Sequence, residues 1–160
     1  MLAVHIICVG KLKEAYLREA CAEYEKRLSA YCRLTVMEVA EARMPENPSP
    51  AQVEAGLREE GERILSRIPN GSKIAALCIE GGQMPSEKFS EKLEAFAVDG
   101  ISRVTFLIGG SWGLSNEVKQ RAGWQLSFSR MTFPHQLARV MLLEQLYRAF
   151  QISHSGKYHK

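Results

Sequence analysis

The chain is predicted to be an α/β protein, a mainly parallel sheet with helices on both faces. Three observations lead there. Short apolar runs alternate five times with helical stretches, giving the order βαβαβαβαβα. Glycine turns follow three of the runs, as strand ends in such sheets often require. The 160 residues hold no internal repeat and no domain-splitting linker, so residues 1–160 read as a single domain with one core.

Leu2–Val9 is the first strand: continuous, apolar and closed by Gly10. Between Lys13 and Tyr31, Leu17, Cys21, Tyr24, Leu28 and Tyr31 recur at helical spacing. Leu34–Val39 is a β-branched second strand. Ala40–Pro50 is a loop carrying Pro45, Pro48 and Pro50. Ser49, Pro50 and Gln52 form a capping box with proline at the first helical position, and Val53, Leu57, Ile64 and Ile68 mark the buried face of the helix they start. Lys73–Ile79 is the third strand, with a Gly81-Gly82 turn after it. Ser86 is expected to cap a helix carrying Phe89, Leu93 and Phe96. Arg103–Ile108 is the fourth strand, Ser115 caps a short helix to about Ala122, and Gln125–Phe128 is the fifth strand. The last helix starts near Pro134 and ends near Ser153, and Leu137 to Phe150 form its core or interface stripe.

No apolar run approaches the roughly 18 residues that a membrane helix needs. The apolar start has no basic segment before it and no small-residue cleavage site, so it reads as a strand of a cytoplasmic protein and not as a signal peptide. Cys8, Cys21, Cys32 and Cys78 show no metal-ligand spacing and read as buried thiols, with neither a disulfide nor a structural metal expected. Asp99 is the only aspartate, which disfavours calcium loops and magnesium-dependent phosphoryl chemistry.

Residues 1–120 carry 15 Lys and Arg against 17 Asp and Glu, whereas residues 121–160 carry six basic residues against Glu144 alone. This basic end suits an anionic partner, and equally a solvated helix face. Gly109-Gly110-Ser111-Trp112-Gly113 lies between a strand and a capped helix, a place where backbone approaches a ligand closely, though the spacing matches no dinucleotide or phosphate fingerprint. Ser127–Gln136 is denser. Phe128, Met131 and Phe133 suit either an apolar slot for an adenine ring or a simple core plug. His135, in the first turn of a helix, suits either a satisfied structural histidine or a neutral hydrogen-bonding group in a site. Arg139 and Arg148 lie nine residues apart, on opposite faces of one helix. The tail Ser155–Lys160 has the composition of a frayed end, yet it mixes tyrosine, histidine and lysine in a way that suits a nucleotide.

Leu107–Ser111, Leu126–Gln136, Leu143–Phe150 and Tyr158-His159-Lys160, together with Val9–Lys13 and Glu60–Leu65, closely resemble the ribosomal RNA large subunit methyltransferase H family of the SPOUT methyltransferases. The resemblance covers essentially the whole chain. It implies a trefoil-knotted fold, a homodimer, and S-adenosylmethionine-dependent methylation at N3 of a pseudouridine (position 1915) in helix 69 of 23S ribosomal RNA, on the assembled ribosome. Carried over by position, it places the methyl donor on Leu77, Gly109, Phe128, Ser129, Arg130, Met131, Thr132 and Phe133. It places the substrate side, with the catalytic groups, on Arg148, Tyr158 and His159. Trp112 departs from the smaller residue usual in that loop. On this reading Arg148 stabilises an anionic base, while Tyr158 and His159 order the base or relay its proton. Two other readings stay open: a non-catalytic RNA-binding module, and a knotted methyltransferase acting on tRNA or on a ribose hydroxyl.

Overall fold

The structure, a computed structural model, describes residues 1–159; Lys160, the last residue of the tail motif, lies outside them. Five strands, β1 (Ala3–Val9), β2 (Arg33–Val39), β3 (Lys73–Gly82), β4 (Arg103–Ile108) and β5 (Trp124–Leu126), form one sheet in the order β2-β1-β4-β3-β5. Every pairing is parallel. The helices are α1 (Ala15–Leu28), α2 (Pro50–Leu65), α3 (Ser86–Val98), α4 (Asn116–Arg121) and α5 (His135–Ser153).

The period-2 rule of a strand divides the core between two faces. Val4, Ile6 and Cys8 point with Val104 and Phe106 into the layer built by α1, α3 and α5. Ile7 and Val9 point with Leu107 toward Ile64 of α2 and Val118 of α4. Residues buried on both sides explain why β1 and β4, at the centre of the sheet, are mostly apolar. At the sheet's short edge, Trp124 of β5 is caged by Phe89, Phe96 and Phe106, with ring centroids 5.8–5.9 Å away. The predicted capping box is present: Ser49 Oγ accepts from the Gln52 amide at 3.2 Å, and the Gln52 side chain accepts from the Ser49 amide at 2.9 Å.

Several boundaries differ from the sequence reading, each for a physical reason. β3 runs on through Gly81 and Gly82, so these glycines continue the strand beyond an irregularity in its pairing with β5 instead of closing it in a turn. β5 is only Trp124–Leu126: the Ser127 amide gives a last bond to the Gly82 carbonyl of β3, and its hydroxyl turns to the Ser129 carbonyl, where the irregular run begins. α1 stops at Leu28, three residues short of Tyr31. Ser86 is not a cap; its hydroxyl donates to Gln145 on α5 at 2.7 Å, and Pro85 takes the cap position without a side-chain bond. Up to His159 the tail is docked and not frayed: Tyr158 packs edge-on against Tyr147 at 4.9 Å.

Candidate active site

The carboxyl ends of β3, β4 and β5 open onto a cavity of about 720 Å³. Parallel strands converge there with their backbone ends exposed, which is where ligands sit in open α/β sheets. Seven of the eight expected donor-site residues line it: Leu77 from β3, Gly109 after β4, and Phe128, Ser129, Met131, Thr132 and Phe133 from the run after β5. Arg130, the eighth, is exposed and lies outside the lining.

Local bonds shape both loops. Ser127, 4% exposed, donates its hydroxyl to the Ser129 carbonyl at 2.9 Å, and Ser129 Oγ accepts from the Met131 amide at 3.0 Å. These serines satisfy backbone groups in an irregular segment and so hold Phe128–Phe133 in one shape. After β4, the Gly113 amide donates to the Gly110 carbonyl at 3.0 Å. A Cβ on Gly109 would run into the Gly113 backbone, and Gly113 itself has φ +80°. Only glycine permits that close approach and that left-handed turn without strain.

Other lining residues lie outside the expected donor-site set. Glu80 and Lys119 form an ion pair of 2.5 Å at the wall, and that bond holds the Glu80 carboxyl below its usual range. Cys78, read as a buried core thiol, is half-buried and faces the cavity, and burial raises its pKa. His135 is not a satisfied structural histidine. Its Nε2 is buried without a partner, and burial lowers the imidazole pKa below 6.5. The ring lines the cavity, and its burial favours the neutral form. Its position directly after Pro134 at a helix start was the available signal.

Arg148, Tyr158 and His159 come together, but away from this cavity. Glu144 Oε1 accepts from Arg148 Nε at 2.9 Å and from Nη2 at 2.5 Å, and it also accepts from the Tyr158 hydroxyl at 3.2 Å. Arg148 lies over the Tyr158 ring at 4.8 Å and donates Nη1 to His159 Nδ1 at 3.0 Å. A guanidinium only donates, so Nδ1 is the acceptor and the ring carries its proton on Nε2. That Nε2 then donates to Glu87 on α3 at 2.6 Å, so the contact is a hydrogen bond of a neutral ring and not an ion pair. The bond to Tyr24, burial and nearby Glu144 all raise the Tyr158 pKa, which makes this phenol a donor at neutral pH.

The basic end of the chain is less free than its composition suggested. Arg139, 4% exposed, spends its charge on Glu38 at 2.8 Å and on the Gly10 carbonyl at 3.2 Å, pinning α5 to the ends of β1 and β2. Arg139 and Arg148 therefore serve different neighbours, as their helical spacing predicted.

A family model described as a predicted SPOUT methyltransferase matches residues 2–159. A ribosomal RNA large subunit methyltransferase H from Leuconostoc mesenteroides is 52% identical over 157 residues, 98% of this chain and 99% of the relative. One from Carboxydothermus hydrogenoformans is 51% identical over 159 residues, 99% of this chain and all of the relative. In fold, a methylase family protein from Haemophilus influenzae aligns with a TM-score of 0.57 at 14% identity, covering all of this chain and 72% of that one.

Proposed function

Because the chain belongs to the SPOUT methyltransferases, and within them to the ribosomal RNA large subunit methyltransferase H family, we propose that it methylates N3 of a pseudouridine in helix 69 of 23S ribosomal RNA, with S-adenosylmethionine as donor, on assembled ribosomes in the cytoplasm. The observation that carries the reading is the cavity at three strand ends, lined by the glycine turn and the Ser127–Phe133 run. Its volume suits a nucleoside-sized ligand, and its lining is mostly apolar with a few convergent polar groups. The orphaned His135 Nε2 supplies a polar group still lacking a partner. Leu77, Gly109, Phe128, Ser129, Met131, Thr132 and Phe133 would hold the donor. Its sulfonium supplies a methyl group already activated for transfer. Arg130, outside the lining, is assigned to the RNA side.

The acceptor is the harder half, since an imide nitrogen holds its proton near neutral pH. The site must stabilise the anion or take up the proton. Arg148 suits the first task. In the resting chain Glu144 and His159 take three of its five N–H groups, which leaves two for the base. Freed from Arg148, His159 Nδ1 is the available proton acceptor; Tyr158, kept protonated, orders the base by donating.

Distance argues that two chains make one site. His135 on the cavity wall and Arg148 stand 13 residues apart on α5, roughly 20 Å along the helix. One chain's tail group thus sits far from its own cavity, and a symmetric homodimer brings the partner's tail there. Leu137, 39% exposed on α5, with half-buried Val140 and Met141, supplies apolar surface for that contact. The reading includes one domain and the trefoil knot. Its support is the path from edge strand β5 back across the cavity to α5, which packs with both α1 and α3.

Mass spectrometry of ribosomal RNA from cells lacking the chain tests the substrate. Loss of the methyl group from the helix 69 pseudouridine is expected; an unchanged modification there refutes the assignment. Calorimetry with S-adenosylhomocysteine separates this reading from a non-catalytic RNA-binding module, which would not bind it.

A further inference from the structure

We infer that Trp112 is a stacking platform for the RNA: its indole receives a nucleobase at the mouth of the cavity, next to the nucleotide being methylated. The inference rests on the ribosomal RNA reading above. Trp124 is 5% exposed in its phenylalanine cage, whereas Trp112 is 53% exposed. A large aromatic ring left half in water is poised to gain from a ligand that covers it.

The backbone under Trp112 is a closed turn. Trp112 is the third residue of the turn Gly110–Gly113, which the Gly113 amide closes onto the Gly110 carbonyl and a bridge between the two glycines reinforces. Below it, Gly109 abuts the Gly113 backbone, and Gly110 rests against Val9. The indole is thus carried on a support ordered before any ligand arrives, which lowers the entropy cost of binding.

Exposed apolar side chains gather at this mouth. Ile79, Trp112 and Met131 are 45%, 53% and 73% exposed, and all three line the same cavity. A flat π face on a cavity rim shared with Ile79 and Met131 suits an unstacked base, because every base has a π face and RNA loops present bases unpaired. Arg130 precedes Met131 in the chain and is exposed outside the cavity, which puts a cation beside the rim for a phosphate. A second copy of this chain is the competing occupant of the indole face.

The test uses the full-length protein, ribosomes from cells lacking it, and S-adenosylhomocysteine as the donor-site probe. Trp112→Ala is expected to raise KM for ribosomes about tenfold, the loss typical of one base–aromatic stack. Affinity for S-adenosylhomocysteine should stay at the wild-type value; a fall in it as large as the rise in KM overturns the inference and assigns the indole to the donor. Trp112→Phe, which keeps a ring, should restore KM. In the free protein, acrylamide should quench a red-shifted emission component that Trp112→Phe lacks. A wild-type KM for Trp112→Ala overturns the inference, as does a Trp112→Phe variant as impaired as Trp112→Ala. Emission of Trp112 shielded from acrylamide also overturns it and assigns the indole to a contact between copies. If the wild type neither binds S-adenosylhomocysteine nor methylates ribosomes, the parent reading fails and this inference with it.

Discussion

His135 and Cys78 share the cavity wall, and each gives a test that needs no knowledge of the RNA. Burial lowers the His135 pKa, so the unfolded chain takes up a proton before the folded one does. The stability tied to His135 is therefore fully present above its ordinary value of 6.5 and is lost as pH falls through the lower folded value. Denaturant midpoints measured between neutral and mildly acidic pH should fall less steeply for His135→Gln than for the wild type. Among the thiols, burial pushes Cys8 up to about 12 and Cys21 and Cys32 up to about 11, which leaves them inert while folded. Cys78, half-buried, should be the first alkylated by iodoacetamide, and S-adenosylhomocysteine should slow that reaction; peptide mass mapping reads both. For Arg148, a lysine keeps the charge but not the fork that grips Glu144 and His159. Arg148→Lys should lower kcat about 100-fold, the scale of one lost transition-state donor, and leave S-adenosylhomocysteine affinity unchanged.

Elements legible from sequence were those whose signals are local. The box of Ser49 and Gln52 lies within four residues, and Ser49→Ala should cost about 1 kcal/mol in thermal or denaturant unfolding. Ser86 looked like the same kind of cap but bonds Gln145, 59 residues away, a competitor that no local rule sees. Gly81-Gly82 looked like a turn because glycine usually punctuates strands; here tertiary pairing with β5 carries the strand through it. Gly109→Ala belongs at this scale as well. The added methyl meets the Gly113 backbone, so the turn must open, and donor affinity should fall at least tenfold, a cost of about 1.4 kcal/mol or more. Calorimetry of a variant shown to be folded by circular dichroism checks it.

At the scale of the whole molecule, the cavity and the tail cluster stand at opposite ends of α5, and the proposed homodimer joins them in trans. Complementation tests this directly. A chain truncated at Ser155 and a full-length chain with Gly109→Val are each expected to be inactive. Refolded together at equal amounts, they should regain about a quarter of wild-type activity, since half the symmetric dimers are mixed and each mixed dimer has one intact site. No recovery, with mixed dimers present, would place both halves of the site in one chain.

The sequence by itself determined the layers and the order of the elements. Hydrophobic period sorts residues to one face or another, and those patterns persist whatever the chain packs against. Leu77, Gly109 and Phe128–Phe133 were marked by resemblance to a known family; the residues alone suited a core plug in the Phe128–Phe133 run as well as a ligand slot. Tertiary structure alone decided how charge and polarity are spent. It buried Arg139 on Glu38, held Arg148 and His159 in each other's hydrogen bonds, left His135 Nε2 without a partner, and kept Arg130 out of the cavity. A side chain's charge is written in the sequence, but its electrostatic effect depends on partners that only folding brings within a few ångströms.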